Sequence, residues 1–222
     1  MGPLPFVGRR RVLAAIEEAA GRARAGRGGL LALTGPAGAG KTRTAREAAD
    51  RAGLRTAWAW CPPEAAAIPF RPWSALLREL TADDPACGRL VRASPPLRAL
   101  LAGRAAGLLP APDPEGARLR LTGDTAHLVR TAAARTPLLL VLDDVHAADP
   151  SSLRLLLELA AAARTAPLLL LVTARTEDAD WPQRTADRAE LLRRANGLPL
   201  GPLSEADGAR ARAAAAAGAP PP

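Results

Sequence analysis

Eight residues, Gly35-Pro36-Ala37-Gly38-Ala39-Gly40-Lys41-Thr42, follow the apolar run Leu30-Leu31-Ala32-Leu33-Thr34 and precede a helical stretch that ends at Gly53. No other feature restricts the chain so tightly. Its three glycines let successive backbone N–H groups turn inward, and the positive end of the following helix points the same way, so the segment suits an anion. The string satisfies G-x-x-x-x-G-K-[ST], in which the lysine reaches the outer phosphates of a polyphosphate and the Thr42 hydroxyl serves Mg²⁺. Lys41 is the only lysine among 30 basic residues. A compact ammonium fits a tight phosphate cradle that the planar fork of arginine does not.

The net charge of +8 raises nucleic acid or an anionic membrane as partners. Arginine, however, is the default cation here, alongside heavy use of Ala, Gly and Pro, so the charge reads as a coding bias. The chain has no helix-turn-helix, zinc motif or aromatic platform, and direct DNA binding is not expected. Cys61 and Cys87 form neither a CxxC pair nor a metal cluster with His127 and His146, which points to a reducing, cytoplasmic setting. No run approaches the length of a membrane span, and residues 1–11 lack the apolar core of a signal peptide.

Along the chain, Val12, Leu13, Ile16 and Ala19 fall at helical spacing from Arg10 to about Arg24. Residues 30–34 form a buried strand, the glycine loop leads into a helix, and Thr56 to Trp60 forms a second strand, which makes a βαβ unit. From about 61 to 116 the prolines separate short helical pieces such as Trp73 to Leu80 and Leu97 to Ala106, an insertion of small helices after the second strand. A helix from about Ala117 to Arg135 precedes the apolar run Leu138 to Leu142. Pro150 opens a helix to about Arg164, Leu168 to Thr173 is a further strand, and Leu198 to Leu200 is a last, weak one. The alternation predicts an α/β fold of the three-layer P-loop NTPase type, with a mostly parallel five-stranded sheet. Residues 1–204 are expected to form this domain, and residues 205–222 the truncated start of a lid helix followed by an Ala/Pro tail.

A P-loop needs a carboxylate across the sheet to hold its metal, and Asp143, at the end of the best strand candidate, is the natural supplier. Asp144 lies one residue further on, where it aligns or deprotonates an attacking water, or else serves as a plain loop carboxylate. Arg175 follows the 168–173 strand at the edge where ligands of open α/β sheets bind. It reads as a γ-phosphate contact or as a solvated surface arginine. His146 reads as a packed or capping residue, and Asp149 before Pro150 as an N-cap.

With these residues in hand, the chain resembles the AAA+-like ATPase domain of STAND proteins, as found in large LuxR-type transcriptional regulators of actinobacteria. The resemblance covers about Pro5 to Ser204. It rests on Phe6-Val7-Gly8-Arg9, the GPAGAGKT loop, Pro69-Phe70-Arg71-Pro72-Trp73, the segment Leu140 to Pro150, and Leu200-Gly201-Pro202-Leu203-Ser204. It implies ATP or ADP with Mg²⁺ as cofactors, Val7 and Gly8 beside the adenine, and a nucleotide-binding set of these two with Gly35, Pro36, Ala37, Gly38, Ala39, Gly40, Lys41, Thr42 and Arg43. Thr42 and Asp143 hold the metal, and Lys41, Asp144 and Arg175 are the catalytic set. Ala147 stands where the family usually has Trp, and Ala174 where it has an aromatic residue.

The function expected on these grounds is a nucleotide-dependent switch with slow ATP hydrolysis, whose partners beyond nucleotide are self-association or regulatory proteins. A non-catalytic nucleotide-binding interaction module from a truncated regulator is the alternative. A small-molecule kinase is disfavoured by the paired aspartates.

Overall fold

The computed structural model describes residues 6–61, 69–82, 84–104, 113–176, 181, 185–203, 205 and 207–210. In chain order the elements are α1 (Arg10–Arg24), β1 (Gly29–Thr34), α2 (Lys41–Ala52), β2 (Arg55–Trp60), α3 (Arg71–Ala82), α4 (Pro85–Ala93), α5 (Pro95–Leu101), α6 (Pro114–Arg135), β3 (Leu138–Asp143), α7 (Pro150–Ala163), β4 (Leu168–Ala174), α8 (Thr185–Arg194) and β5 (Asn196–Pro199). The strands lie in the order β2-β3-β4-β1-β5. All pairings are parallel, so the expected α/β sheet of five strands is wholly, not mostly, parallel.

Period-two alternation assigns the two faces of the sheet. Leu31, Leu33, Leu139, Val141, Leu169 and Leu171 pack against α1 and α2. Leu30, Ala32, Leu138, Leu140, Leu142, Leu168, Leu170 and Val172 pack against α3 to α8. The middle strands β3 and β4 are buried at every position, which is why they read as unbroken apolar runs.

Local punctuation sets the helix ends. Gly53 ends α2 in the left-handed region at φ 60°, where glycine pays no Cβ penalty. The side chains of Asp84, Ser94, Asp113 and Asp149 accept amide bonds at the starts of α4, α5, α6 and α7, each followed by proline in the first turn.

Two expectations differ, and one helix was not expected. The helix placed at Leu97 to Ala106 ends at Leu101, with Gly103 at φ 72° just beyond it; residues 105 and 106 lie outside the described residues. Helix α8, which the sequence pattern did not announce, fills the stretch before the last strand. That strand runs from Asn196 to Pro199 rather than from Leu198 to Leu200. In the segment 205–222, expected to begin as a lid helix, residues 205 and 207–210 are helical, and the remainder falls outside the described residues. No helix among the described residues is long and apolar enough to cross a membrane.

Candidate functional site

The glycine loop leaves β1 at Thr34 and enters α2 at Lys41. Gly38 and Gly40 hold φ of 74° and 83°, a region that side chains disfavour. Gly35 is needed for a different reason, since a Cβ there would lie 2.5 Å from the carbonyl oxygen of Leu200. Helix α2 begins without a side-chain cap and without an acidic residue in its first turn, so its first amides keep their positive end for a ligand. Lys41 is 7% exposed. Its ammonium bonds to the carbonyls of Gly35 at 3.1 Å and Pro36 at 2.9 Å, which bends the side chain over the loop. Arg9, itself left-handed at φ 62°, donates from Nη2 to the Ala39 carbonyl at 3.0 Å and ties the lead-in segment to the loop.

Two strands away, Asp143 ends β3. Thr42 donates from Oγ1 to Asp143 Oδ1 at 3.0 Å, and Thr173 of β4 donates to the same oxygen at 2.6 Å. Burial pushes the Asp143 carboxyl above its ordinary range; the Thr173 and Thr42 hydroxyls oppose this, the Asp144 charge adds to it, and Arg46 opposes it. Asp144 adopts φ 59°. Its amide donates to Thr173 Oγ1 at 2.8 Å, and its Oδ2 accepts the indole N–H of Trp60 at 3.3 Å. His146 Nδ1 lies 3.9 Å from Asp144 Oδ1.

The oxygen donors Thr42 and Asp143 suit a hard divalent cation. No group of three or more His, Cys, Asp or Glu among the described residues forms a metal cage. That donor set fits Mg²⁺, which commonly takes one or two protein oxygens and completes its shell with phosphate and water.

A cleft of about 1000 Å³ runs along the loop. One wall is Phe6, Val7, Arg9, Gly38, Ala39, Gly40, Arg43 and Thr44; the other is Pro202, Leu203, Glu205, Gly208 and Ala209. The Arg43 guanidinium lies 5.8 Å above the Phe6 ring. Gly8 sits beside the cleft and lines smaller depressions next to it. Ala174 pairs with Thr34, so Arg175 leaves the sheet beside Gly35, half-buried, with its carbonyl accepting the Trp181 indole at 3.0 Å.

Asp149 is the N-cap of α7, as the sequence indicates. His146 is 8% exposed, in a single 3-10 turn at Val145–Ala147. Sequence reading passed over Thr173 and Trp60 as site residues. Their only signals are a hydroxyl in an otherwise apolar run and an indole at a strand end.

The sequence model of a family described as AAA ATPase domain matches residues 5–172. No curated protein matches the chain in sequence. Among solved structures, the ORC1 protein of Aeropyrum pernix in complex with DNA has a TM-score of 0.58 at 17% identity, covering 97% of this chain and 51% of its own. The ORC2 protein of Aeropyrum pernix, in ADPNP–ADP complexes, has a TM-score of 0.54 at 18% identity over 90% of this chain and 50% of its own. Cdc6p from Pyrobaculum aerophilum has a TM-score of 0.51 at 19% identity over 96% and 51%. These likenesses are of fold, and the chain spans about half the length of each.

Proposed function

Because the chain belongs to the AAA ATPase domain family, we propose that it binds ATP with Mg²⁺ and acts as a nucleotide-dependent switch that hydrolyses ATP slowly. The observation that carries this reading is the bond from Thr42, at the start of α2, to Asp143, at the end of β3. It joins the phosphate loop to a carboxylate across the sheet, the pairing that a P-loop nucleoside triphosphatase uses.

In this reading the amides of Gly38 to Thr42 surround the phosphates, and Lys41 exchanges its carbonyl partners for β- and γ-phosphate oxygens. Thr42 and Asp143 hold Mg²⁺, which neutralises charge on the phosphates when bound. Asp144 aligns the attacking water and accepts its proton as the water oxygen bonds to the γ-phosphorus and the bond to the β–γ bridging oxygen breaks. Arg175, beside Gly35, contacts the γ-phosphate. The base lies in the cleft between Val7 and Leu203, with Gly8 beside it and Arg43 along its floor. Regulatory proteins or further copies of the chain are the partners of such a switch, and a STAND-type regulator of the LuxR kind is its setting.

The left-handed Asp144, engaged by Trp60, favours one second reading, a module that holds nucleotide without turnover. Calorimetric titration with ATP and ADP in Mg²⁺, with Lys41→Ala as control, and phosphate release measured on the same samples, separates the two. Binding and release that both vanish in the variant support the switch. Binding without release supports the module, and no binding to the unaltered chain overturns both.

A further inference from the structure

We infer that Thr173 is a positioning residue that fixes both acidic side chains of the site, Asp143 through a carboxylate oxygen and Asp144 through its backbone. The inference rests on the roles given to those two aspartates above.

Thr173 is fully buried near the end of β4, in the run Leu168 to Ala174 that is otherwise wholly apolar. Valine has nearly the same shape, so packing alone gives no reason for a hydroxyl here, and a buried hydroxyl without partners is costly. This one has two partners. An amide can only donate, so the Asp144 N–H at 2.8 Å takes an oxygen lone pair, and the single hydroxyl proton goes to Asp143 Oδ1 at 2.6 Å.

Two consequences follow for the geometry. Asp143 Oδ1 accepts both Thr42 and Thr173, which fixes the carboxylate plane and leaves Oδ2 as the oxygen that neither hydroxyl engages. Asp144 is a non-glycine residue at φ 59°, a conformation that residues with a Cβ seldom adopt, and the hydroxyl holds its amide there. The side chain then reaches the Trp60 indole. One oxygen atom on β4 thereby sets the spacing between the carboxylate that faces the metal position and the one that faces the attacking water.

The test uses the full isotope-labelled chain with Thr173→Val and Thr173→Ser. It follows hydrogen exchange of the Asp144 amide, the Trp60 indole N–H resonance, and Mg²⁺-dependent phosphate release. Valine is expected to speed Asp144 exchange by about tenfold or more while leaving the Leu170 and Leu171 amides unchanged. It should also move the Trp60 resonance and lower kcat by about tenfold or more with KM for ATP little altered. Serine should restore all three. Asp144 protection that survives in the valine variant overturns the inference, as does serine behaving like valine, because the methyl group and not the hydroxyl would then matter. If the valine variant does not fold, Thr173→Ala against Thr173→Ser decides in the same way: loss confined to alanine supports the clamp, and equal loss overturns it. The exchange arm needs no nucleotide, so a chain that fails to bind ATP overturns the functional reading while the clamp is still decided.

Discussion

Asp149 Oδ2 accepts the backbone N–H of Phe70 at 3.1 Å, across 79 positions of sequence. The same carboxylate receives the Ser152 amide at 2.9 Å and hydroxyl at 2.5 Å, so one buried side chain starts α7 and anchors the entry to α3. Trp73 adds a bond from its indole to the Ser152 carbonyl at 3.1 Å. Asp149→Ala is expected to destabilise the fold by about 3 kcal/mol, more than an exposed cap, because buried donors lose their acceptor. Urea unfolding measures it; a loss below about 1 kcal/mol would show that the anchor is redundant.

Gly35 and Gly38 separate two reasons for glycine. Alanine at Gly35 meets the Leu200 carbonyl, whereas alanine at Gly38 meets nothing within 4 Å and suffers only from φ 74°. Gly38→Ala should therefore cost about 1 to 2 kcal/mol. Gly35→Ala should cost more, and should loosen β5, whose exit bonds Leu200 N–H to Thr34. Paired thermal melts give the order; a reversal would reject the contact argument.

Since Lys41 is the sole lysine, amine-selective acylation can label only this side chain and the α-amino group. MgATP should protect Lys41 by about tenfold or more if the ammonium contacts phosphate. Lys41→Arg should weaken ATP binding by a similar, roughly tenfold factor, because a planar fork cannot enter the loop as a point charge does. Peptide mapping and calorimetry read the two results.

Burial pushes the Cys87 thiol up to about 11; the Asp84 charge and hydrogen bond act in the same direction, and Arg55 and Arg135 oppose them. Its folded value exceeds the unfolded one, so the stability it carries is complete below about pH 9 and is lost as pH rises through about 11. With Cys61→Ala as background, Cys87 should resist alkylation at pH 8 until the chain unfolds. Fast labelling of the native protein would contradict the buried thiol.

Long apolar runs and the glycine motif made β1, β3, β4 and the phosphate loop legible, because strands buried on both faces leave no polar interruptions to misread. Helix α8 was not legible. Its residues Thr185 to Arg194 are mostly polar, and among its described side chains only Leu191 is buried. The Proline-rich stretch after β2 hid α4, since Pro85 looks like a break until Asp84 is seen capping the helix behind it. Thr173 stayed invisible for a deeper reason. Threonine suits a strand on propensity alone, and only the neighbouring strand shows what its hydroxyl touches.

The cleft draws one wall from Phe6 and Val7 and the other from Pro202, Leu203, Glu205, Gly208 and Ala209. During synthesis the phosphate loop emerges long before its second wall. At ordinary elongation speeds the interval from Thr42 to Ala209 is roughly ten to thirty seconds. A nascent chain thus carries a signature loop facing half a cleft, and the cleft gains its second side only when β5 has docked beside β1.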